Sequence, residues 1–340
     1  HIMSHELDTS NSRNNMAYVG AEGTPWHGLG QELTYGASID TWKKEAGLDF
    51  EVRRARVGFQ VPSESNDDGP RMMQMGDREV LYRADTCAPL GIVSKGYKVV
   101  QPGETLEFFR NLTDNGGFTM DTAGSLHGGK RVWALAKMNE GFDVIGHDRV
   151  LPYLLLATSF DGGLATTVKF TAIRVVCHNT ISVALQEDSL GRNERTVKIA
   201  HYSTFNALEV QKRLGLIKSA WETFMAQTKS LATAELVDNH AAQLTMELIA
   251  PTLGPKADGS RQDSEGVKES KAYRRIIQLF EGAAIGSELT EGRSCWQWLN
   301  SVTQYVDHER GRAADSRMNG AWFGNGDALK SRALELALEI

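Results

Sequence analysis

The sequence predicts an α+β fold: an antiparallel sheet of hairpins packed by helices, with a helical C-terminal part. Closely spaced alternating runs joined by glycine-bearing turns favour antiparallel pairing over a doubly wound parallel sheet. Helical periods lie between and after those runs. The 340 residues, 41% hydrophobic and 24% charged, are enough for one large domain or two ordinary ones.

Each element has a local reason. In 53–61, Ala55, Val57, Phe59 and Val61 alternate with Arg54, Arg56 and Gln60, a strand whose apolar side is expected to face the helices. Short strands at 79–84 and 90–94 follow, with Pro89 at their turn. Strands at 117–125 and 130–138 flank Leu126-His127-Gly128-Gly129, a hairpin signal. Val132, Ala134, Ala136 and Met138 are expected in a core, with Arg131, Trp133, Leu135 and Lys137 on the opposite face. A further pair, 151–160 and 164–173, flanks Asp161-Gly162-Gly163. A helix at 102–115 starts at Pro102 and stops before Gly116-Gly117. Leu214, Ile217, Trp221 and Phe224 recur at helical spacing within 203–231, and a helix at 234–250 is stopped by Pro251. Closing helices are expected at 271–281, 294–309 and 327–340.

The domain reading takes 1–15 as a tag remnant (His1-Ile2 before Met3) and a disordered N-terminus. An α+β core over 16–250, a mobile loop over 251–270 and a helical segment over 271–340 packing on the core follow. No run approaches the roughly 20 apolar residues of a membrane span, and no signal peptide follows Met3, so the expected location is cytoplasmic. Cys87, Cys177 and Cys295 are odd in number and lack a CxxC pair, which fits a reducing compartment and argues against a disulfide framework or a zinc site. The net charge of −6 is uneven: residues 1–50 carry seven acidic and three basic side chains, whereas 51–175 carry fifteen of each. That balance leaves a local basic groove open and neither supports nor excludes nucleic acid.

Several stretches carry a family likeness. They are Met16-Ala17-Tyr18, Pro25-Trp26-His27-Gly28-Leu29-Gly30, Arg83 with Asp85, Leu90-Gly91, Tyr97 with Val100-Gln101, and Thr122 to Leu126 with Gly128-Gly129 before Arg131-Val132-Trp133. The strongest block is Thr171-Ala172-Ile173-Arg174-Val175-Val176-Cys177-His178-Asn179-Thr180, and the closing block is Trp298 to Arg310. From about Met16 to Leu338 the chain resembles the phage/plasmid-like family called domain of unknown function 932. The resemblance implies a phage, prophage or plasmid setting and supplies no catalytic role.

The same residues have physical readings of their own. Trp26 and His27 either plug the chain's own core or form an oligomer contact or base-stacking pair. Gly124 to Arg131, with Lys130 and Arg131, reads as an anion cradle or as an ordinary hairpin turn. Arg174 and Asn179 read a nucleic-acid backbone or fix an interior polar network. Cys177 beside His178 diverges on a strand or a helix, which favours an inert buried thiol over a nucleophile. Asp307-His308-Glu309 lacks metal-ligand spacing.

If the apolar strand faces point inward, an exposed face gathers Arg54, Arg56, Arg131, Trp133, Lys137 and Lys169. Basic residues interleaved with an aromatic suit a single strand, with phosphates neutralised and bases stacked. The expected function is single-stranded nucleic-acid binding, with strand annealing as its extension, by a homo-oligomer that needs no cofactor or metal and does not enter a membrane. The expected contacts are Arg54, Arg56, Lys130, Arg131, Trp133, Lys137, Lys169, Arg174 and Asn179, with Trp26 and His27 between copies. The alternatives are an enzyme using His127, Cys177 or Asp307 with His308, and a protein that acts by docking to another protein.

Overall fold

The computed structural model describes residues 14–20, 30–62, 69–115, 118–138, 140–176, 179–182, 186–187, 193–194, 196–199, 201, 217–256, 258–289, 292–310 and 320–340. Trp26, His27, Cys177 and His178 lie outside the described residues, as does the side chain of Asn179. The chain divides into two compact units. One comprises His1–Asn139, Leu154–Lys169 and Thr196–Arg213; the other comprises Glu140–Tyr153, Phe170–Arg195 and Leu214–Ile340. Mixed α+β content, antiparallel pairing and a helical C-terminal part agree with the predicted class. The domain boundaries differ from those expected, because two strands, Arg149–Ser159 and Thr166–Arg174, give residues to both units.

In the first unit, β1 (Met16–Tyr18) pairs in parallel with β2 (Gln31–Glu32) and antiparallel with β6 (Phe118–Leu126). Strand β6 then pairs antiparallel with β7 (Arg131–Met138). Helix α1 (Ile39–Glu45) is capped by Ser38, whose Oγ accepts from the Thr41 amide at 3.1 Å. Helix α2 (Pro102–Asn115) spans the residues its Pro start and Gly-Gly stop predict, and it packs on β6 and β7. A separate three-stranded sheet is built from β3 (Val52–Val61), β4 (Arg71–Arg83) and β5 (Pro89–Ser94), in that order.

The turn Leu126-His127-Gly128-Gly129 joins β6 to β7 as predicted, with His127, Gly128 and Gly129 at φ of 54°, 69° and 90°. Its last glycine serves packing: a Cβ on Gly129 would meet the Arg83 guanidinium at 2.9 Å and the Phe50 ring at 3.1 Å. Gly124 likewise admits the neighbouring strand, with the Asn15 carbonyl 2.8 Å from where its Cβ would stand. These contacts explain the glycines as close-approach positions within the fold.

In the second unit, β8 (Phe142–Asp143) pairs with the start of β9 (Arg149–Ser159), and β11 (Asn179–Ser182) pairs antiparallel with the end of β10 (Thr166–Arg174). Short strands β12 (Gln186–Glu187), β13 (Asn193–Glu194) and β14 (Thr196–Ile199) follow, β14 pairing with the first half of β10 inside the first unit. Helix α3 (Ile217–Thr233) sets Trp221 and Phe224 against Phe142, and Trp221 also meets Phe170 edge-on. Trp221, Phe224, Phe142 and Phe170 form a buried aromatic cluster on the helix that the spacing of Ile217, Trp221 and Phe224 predicts.

Helix α4 (Asp238–Ile249) ends in a 3-10 turn at Pro251. The expected loop over 251–270 is instead partly built. Asp263 caps α5 (Ser264–Glu269) by accepting from the Gly266 amide at 2.9 Å, and it also pairs with Lys256 at 2.5 Å. Helix α6 (Lys271–Gln278) runs into a π turn, as does α7 (Cys295–Gln304), and α8 (Asn325–Leu338) closes the chain. Among the described residues no helix is long and apolar enough to cross a membrane.

Candidate nucleic-acid interface

The expected face of Arg54, Arg56, Arg131, Trp133, Lys137 and Lys169 is not assembled as one exposed surface. Trp133 is only 1% exposed, because β7 is covered on both sides: Val132, Ala134 and Leu135 are buried with it. A base cannot stack on a ring that the fold already covers. Lys169 is buried in β10, and Arg174 is buried in an ion pair, so both leave the set of surface contacts. Arg131 reaches toward Asp161 at 3.8 Å across the turn and is mostly covered. Lys130 is exposed and Lys137 half-buried. Asn179 starts β11 opposite Arg174.

Arg174 takes the interior reading. Its Nε donates to Asp148 Oδ1 at 2.7 Å, Nη1 to the Ile285 carbonyl at 3.1 Å and Nη2 to the Gly286 carbonyl at 2.9 Å. The second oxygen of Asp148 accepts from Trp296 Nε1 at 2.8 Å. Gly286, at φ 77°, is where a Cβ would stand 2.5 Å from Val176 and 3.1 Å from the Arg174 guanidinium. A second buried network ties the other sequence block. Asp307 Oδ2 accepts from the Thr180 amide and hydroxyl at 2.7 and 2.9 Å, while Lys330 Nζ donates to Asp307 Oδ1 at 2.7 Å and to Thr180 Oγ1 at 2.5 Å. Both networks stay within the second unit. Their charges are compensated by a counter-ion and added hydrogen bonds, the condition under which buried charge is tolerated.

These networks spend Asp307 on structure, so it is not presented to a substrate. Among the described residues no group of three or more His, Cys, Asp or Glu side chains is placed to share a metal ion. Cys295 is buried, which pushes its thiol pKa up and makes it a poor nucleophile. In the first unit a cavity of about 480 Å³ lies beside Tyr35, Asp40, Trp42, Arg110 and Thr119. None of the residues singled out in the sequence lines it.

What the structure does expose is the β3–β4 ribbon. Beyond Val52, which is buried, every residue of β3 from Arg53 to Val61 is exposed or half-buried. The inner face of the sheet carries buried Val52, Leu81 and Val93, in register with Arg54 and Arg56. Ala55, Val57, Phe59 and Val61 do share a face, as predicted, but that face is turned to solvent and not onto helices. The strand is an edge, and its length carries it past the core. Arg54 donates to Glu79 at 3.1 Å and to the Tyr97 carbonyl, anchoring the base of the ribbon. Arg53 pairs with Glu51 at 2.7 Å in solvent, and Arg56 is exposed. The reach of β4 back to Arg71 was missed in the sequence, where only 79–84 reads as a strand; Arg71, Met72 and Met73 pair with Val61, Gln60 and Phe59.

The family model for the domain of unknown function 932 matches residues 89–322, well over half of the chain. The chain belongs to the DUF932 family. The two buried networks, on Asp148/Arg174/Trp296 and on Thr180/Asp307, use residues inside the DUF932 match except for Lys330, whereas the β3–β4 ribbon precedes it. No curated protein and no solved structure matches this DUF932 chain.

Proposed function

We propose that the protein binds single-stranded nucleic acid along the open edge of β3. The observation that carries this reading is the run Arg53, Arg54 and Arg56 at the base of an exposed edge strand that holds no acidic residue. Successive side chains point to opposite faces, so Arg53 and Arg56 approach a strand laid along the edge from both sides. The outward N–H groups of an edge strand are further donors to phosphate oxygens. A single strand follows such a narrow, twisted edge more readily than a stiff duplex does.

The wider setting proposed with it is a phage or plasmid protein working in the cytoplasm, with annealing of complementary strands as its activity. The resemblance of the sequence blocks supports the setting, and the unpaired Cys87 and Cys295 fit a reducing compartment.

The test is a fluorescence-anisotropy titration of a labelled oligonucleotide across salt. Arg56→Ala should weaken binding and lower the slope of log K against log salt by about 0.7, the value for one phosphate contact on a single strand. Arg131→Ala, whose guanidinium already faces Asp161, should leave both unchanged. No binding to any single strand, or an Arg56→Ala protein with wild-type affinity and slope, overturns the edge as the site.

A further inference from the structure

Both ring nitrogens of the buried His201 face carbonyl oxygens. Nδ1 lies 3.0 Å from the Lys98 carbonyl and Nε2 lies 2.8 Å from the Leu164 carbonyl. A carbonyl only accepts, so each nitrogen must carry a hydrogen to bond there. The neutral imidazole has one N–H and turns a lone pair to its other neighbour, whereas the imidazolium has two. The pair of contacts therefore belongs to the charged ring.

The surroundings suit that charge. Tyr97 stacks on the ring with centroids 4.1 Å apart and planes 16° apart, presenting the negative face of its π system. Tyr97 is itself held by its hydroxyl, which donates to the Ser159 carbonyl at 2.6 Å. The Ser159 hydroxyl donates to the Leu164 carbonyl and accepts from the Leu164 amide, at 3.0 Å each. Asp161, whose charge acts on Tyr97, pairs with Arg131 at 3.8 Å, and the Lys98 side chain is exposed. A buried charge is tolerated where its donors are hydrogen-bonded, as both are here.

We infer that His201 is a pH-sensitive clip between the loop after β5 and the turn before β10. The charged ring holds both carbonyls; the ring that has given its second proton to water holds one. The clip bears on the β3–β4 ribbon. Arg54 donates from Nη2 to the Tyr97 carbonyl and from Nη1 to the Lys95 carbonyl at 3.4 Å. The backbone that His201 grips at Lys98 thus continues into the backbone on which the base of β3 is anchored, all within the first unit. Losing one ring bond loosens that anchor. Histidine is the side chain that ordinarily changes charge between about pH 5 and 8, so the clip opens toward the alkaline end. The inference goes beyond the nucleic-acid reading and stands without it.

Urea unfolding of the full chain across that range, for wild type and His201→Gln, tests it together with ¹⁵N spectra of the histidine ring nitrogens. The His201 signals are those the variant loses. At the acidic end both nitrogens of His201 should carry a hydrogen, and the unfolding constant of the variant should exceed that of wild type by about tenfold or more, the scale of one hydrogen bond to a charged group. Both bonds need the charged ring, so this margin is present at low pH and should shrink as pH rises, in step with the ring's own titration. His201→Phe, which keeps a ring against Tyr97 without either bond, should lose the same pH dependence. A margin that is constant or grows with pH, or a His201 ring with a single hydrogen at the acidic end, overturns the inference. No oligonucleotide enters these measurements, so the two proposals fail separately.

Discussion

Arg174 and Tyr97 illustrate how little a residue's type says about its task. Arg174 sits in the most family-like block of the sequence and reads equally well as a phosphate contact. Its burial against Asp148, with both Nη atoms on carbonyl oxygens, makes it a structural tie. Arg174→Ala would leave the Asp148 carboxylate buried with only the Trp296 indole, and losing one partner of such a pair costs about 3–5 kcal/mol. We expect a urea midpoint lowered accordingly, and an unchanged oligonucleotide affinity in whatever fraction stays folded; a loss of affinity without a loss of stability would restore the contact reading. Tyr97 is buried, donates to the Ser159 carbonyl at 2.6 Å, and has its pKa pushed up to about 12 by that burial. The unfolded chain, with the ordinary value near 10, loses this proton first, so the folded state binds it more tightly over that interval. The stability that follows is complete below pH 10 and is lost as pH rises from 10 toward 12. Tyr97→Phe should flatten that part of the stability–pH curve measured by urea unfolding, and an identical slope in both proteins would contradict it. Neither role was legible beforehand, because alternation assigns a face but not what covers it: Trp133 stands on the predicted face and is buried there all the same.

Elements were easier to read than residues where local signals were complete. Helix α2 begins at Pro102 and ends before Gly116-Gly117, and Ser294 caps α7 with its Oγ 3.3 Å from the Gln297 amide. Both hairpin turns occur where their glycines place them, Gly162 and Gly128 at positive φ. The failures have physical causes. Strand β3 was read correctly in period and wrongly in direction, since an amphipathic strand is oriented by whatever packs on it and the sequence does not say whether that belongs to the same chain. The segment 251–270 lacks apolar periodicity, but a helix of six residues needs only a cap and one buried anchor. Asp263 and Val267 supply them. Asp263 is held below the usual carboxylate range first by Lys256 and then by the Gly266 amide, which favours the charged form of the cap. The candidate site moved for the same reason as β3: its arginines were visible in the sequence, but the surface they share was not.

On the scale of the whole molecule, the expected split into a core over 16–250 and a helical segment over 271–340 fails because the chain is interlaced. It passes between units after residues 139, 153, 169, 195 and 213, and strands β9 and β10 each serve both. Cutting at any one of these points separates buried groups from their partners. A fragment of residues 214–340 would keep Trp296, Asp307 and Lys330 but lose Asp148, Arg174 and Thr180, to which they bond. It would also lose Phe142 and Phe170, the rings packed on Trp221. Buried polar groups without partners each cost about 1–3 kcal/mol, and more when charged, against a typical domain stability of only about 5–15 kcal/mol. Local helical signals survive in such a fragment, so helix content alone does not decide the matter. The deciding quantities are the near-ultraviolet signal of the tryptophans and the sharpness of urea unfolding. We expect the fragment to keep part of its far-ultraviolet helix signal, to lose the near-ultraviolet one and to unfold without a cooperative transition. A sharp transition with native-like tryptophan signals would mean that the helices form a domain in their own right and that the strands of the second unit are dispensable to it.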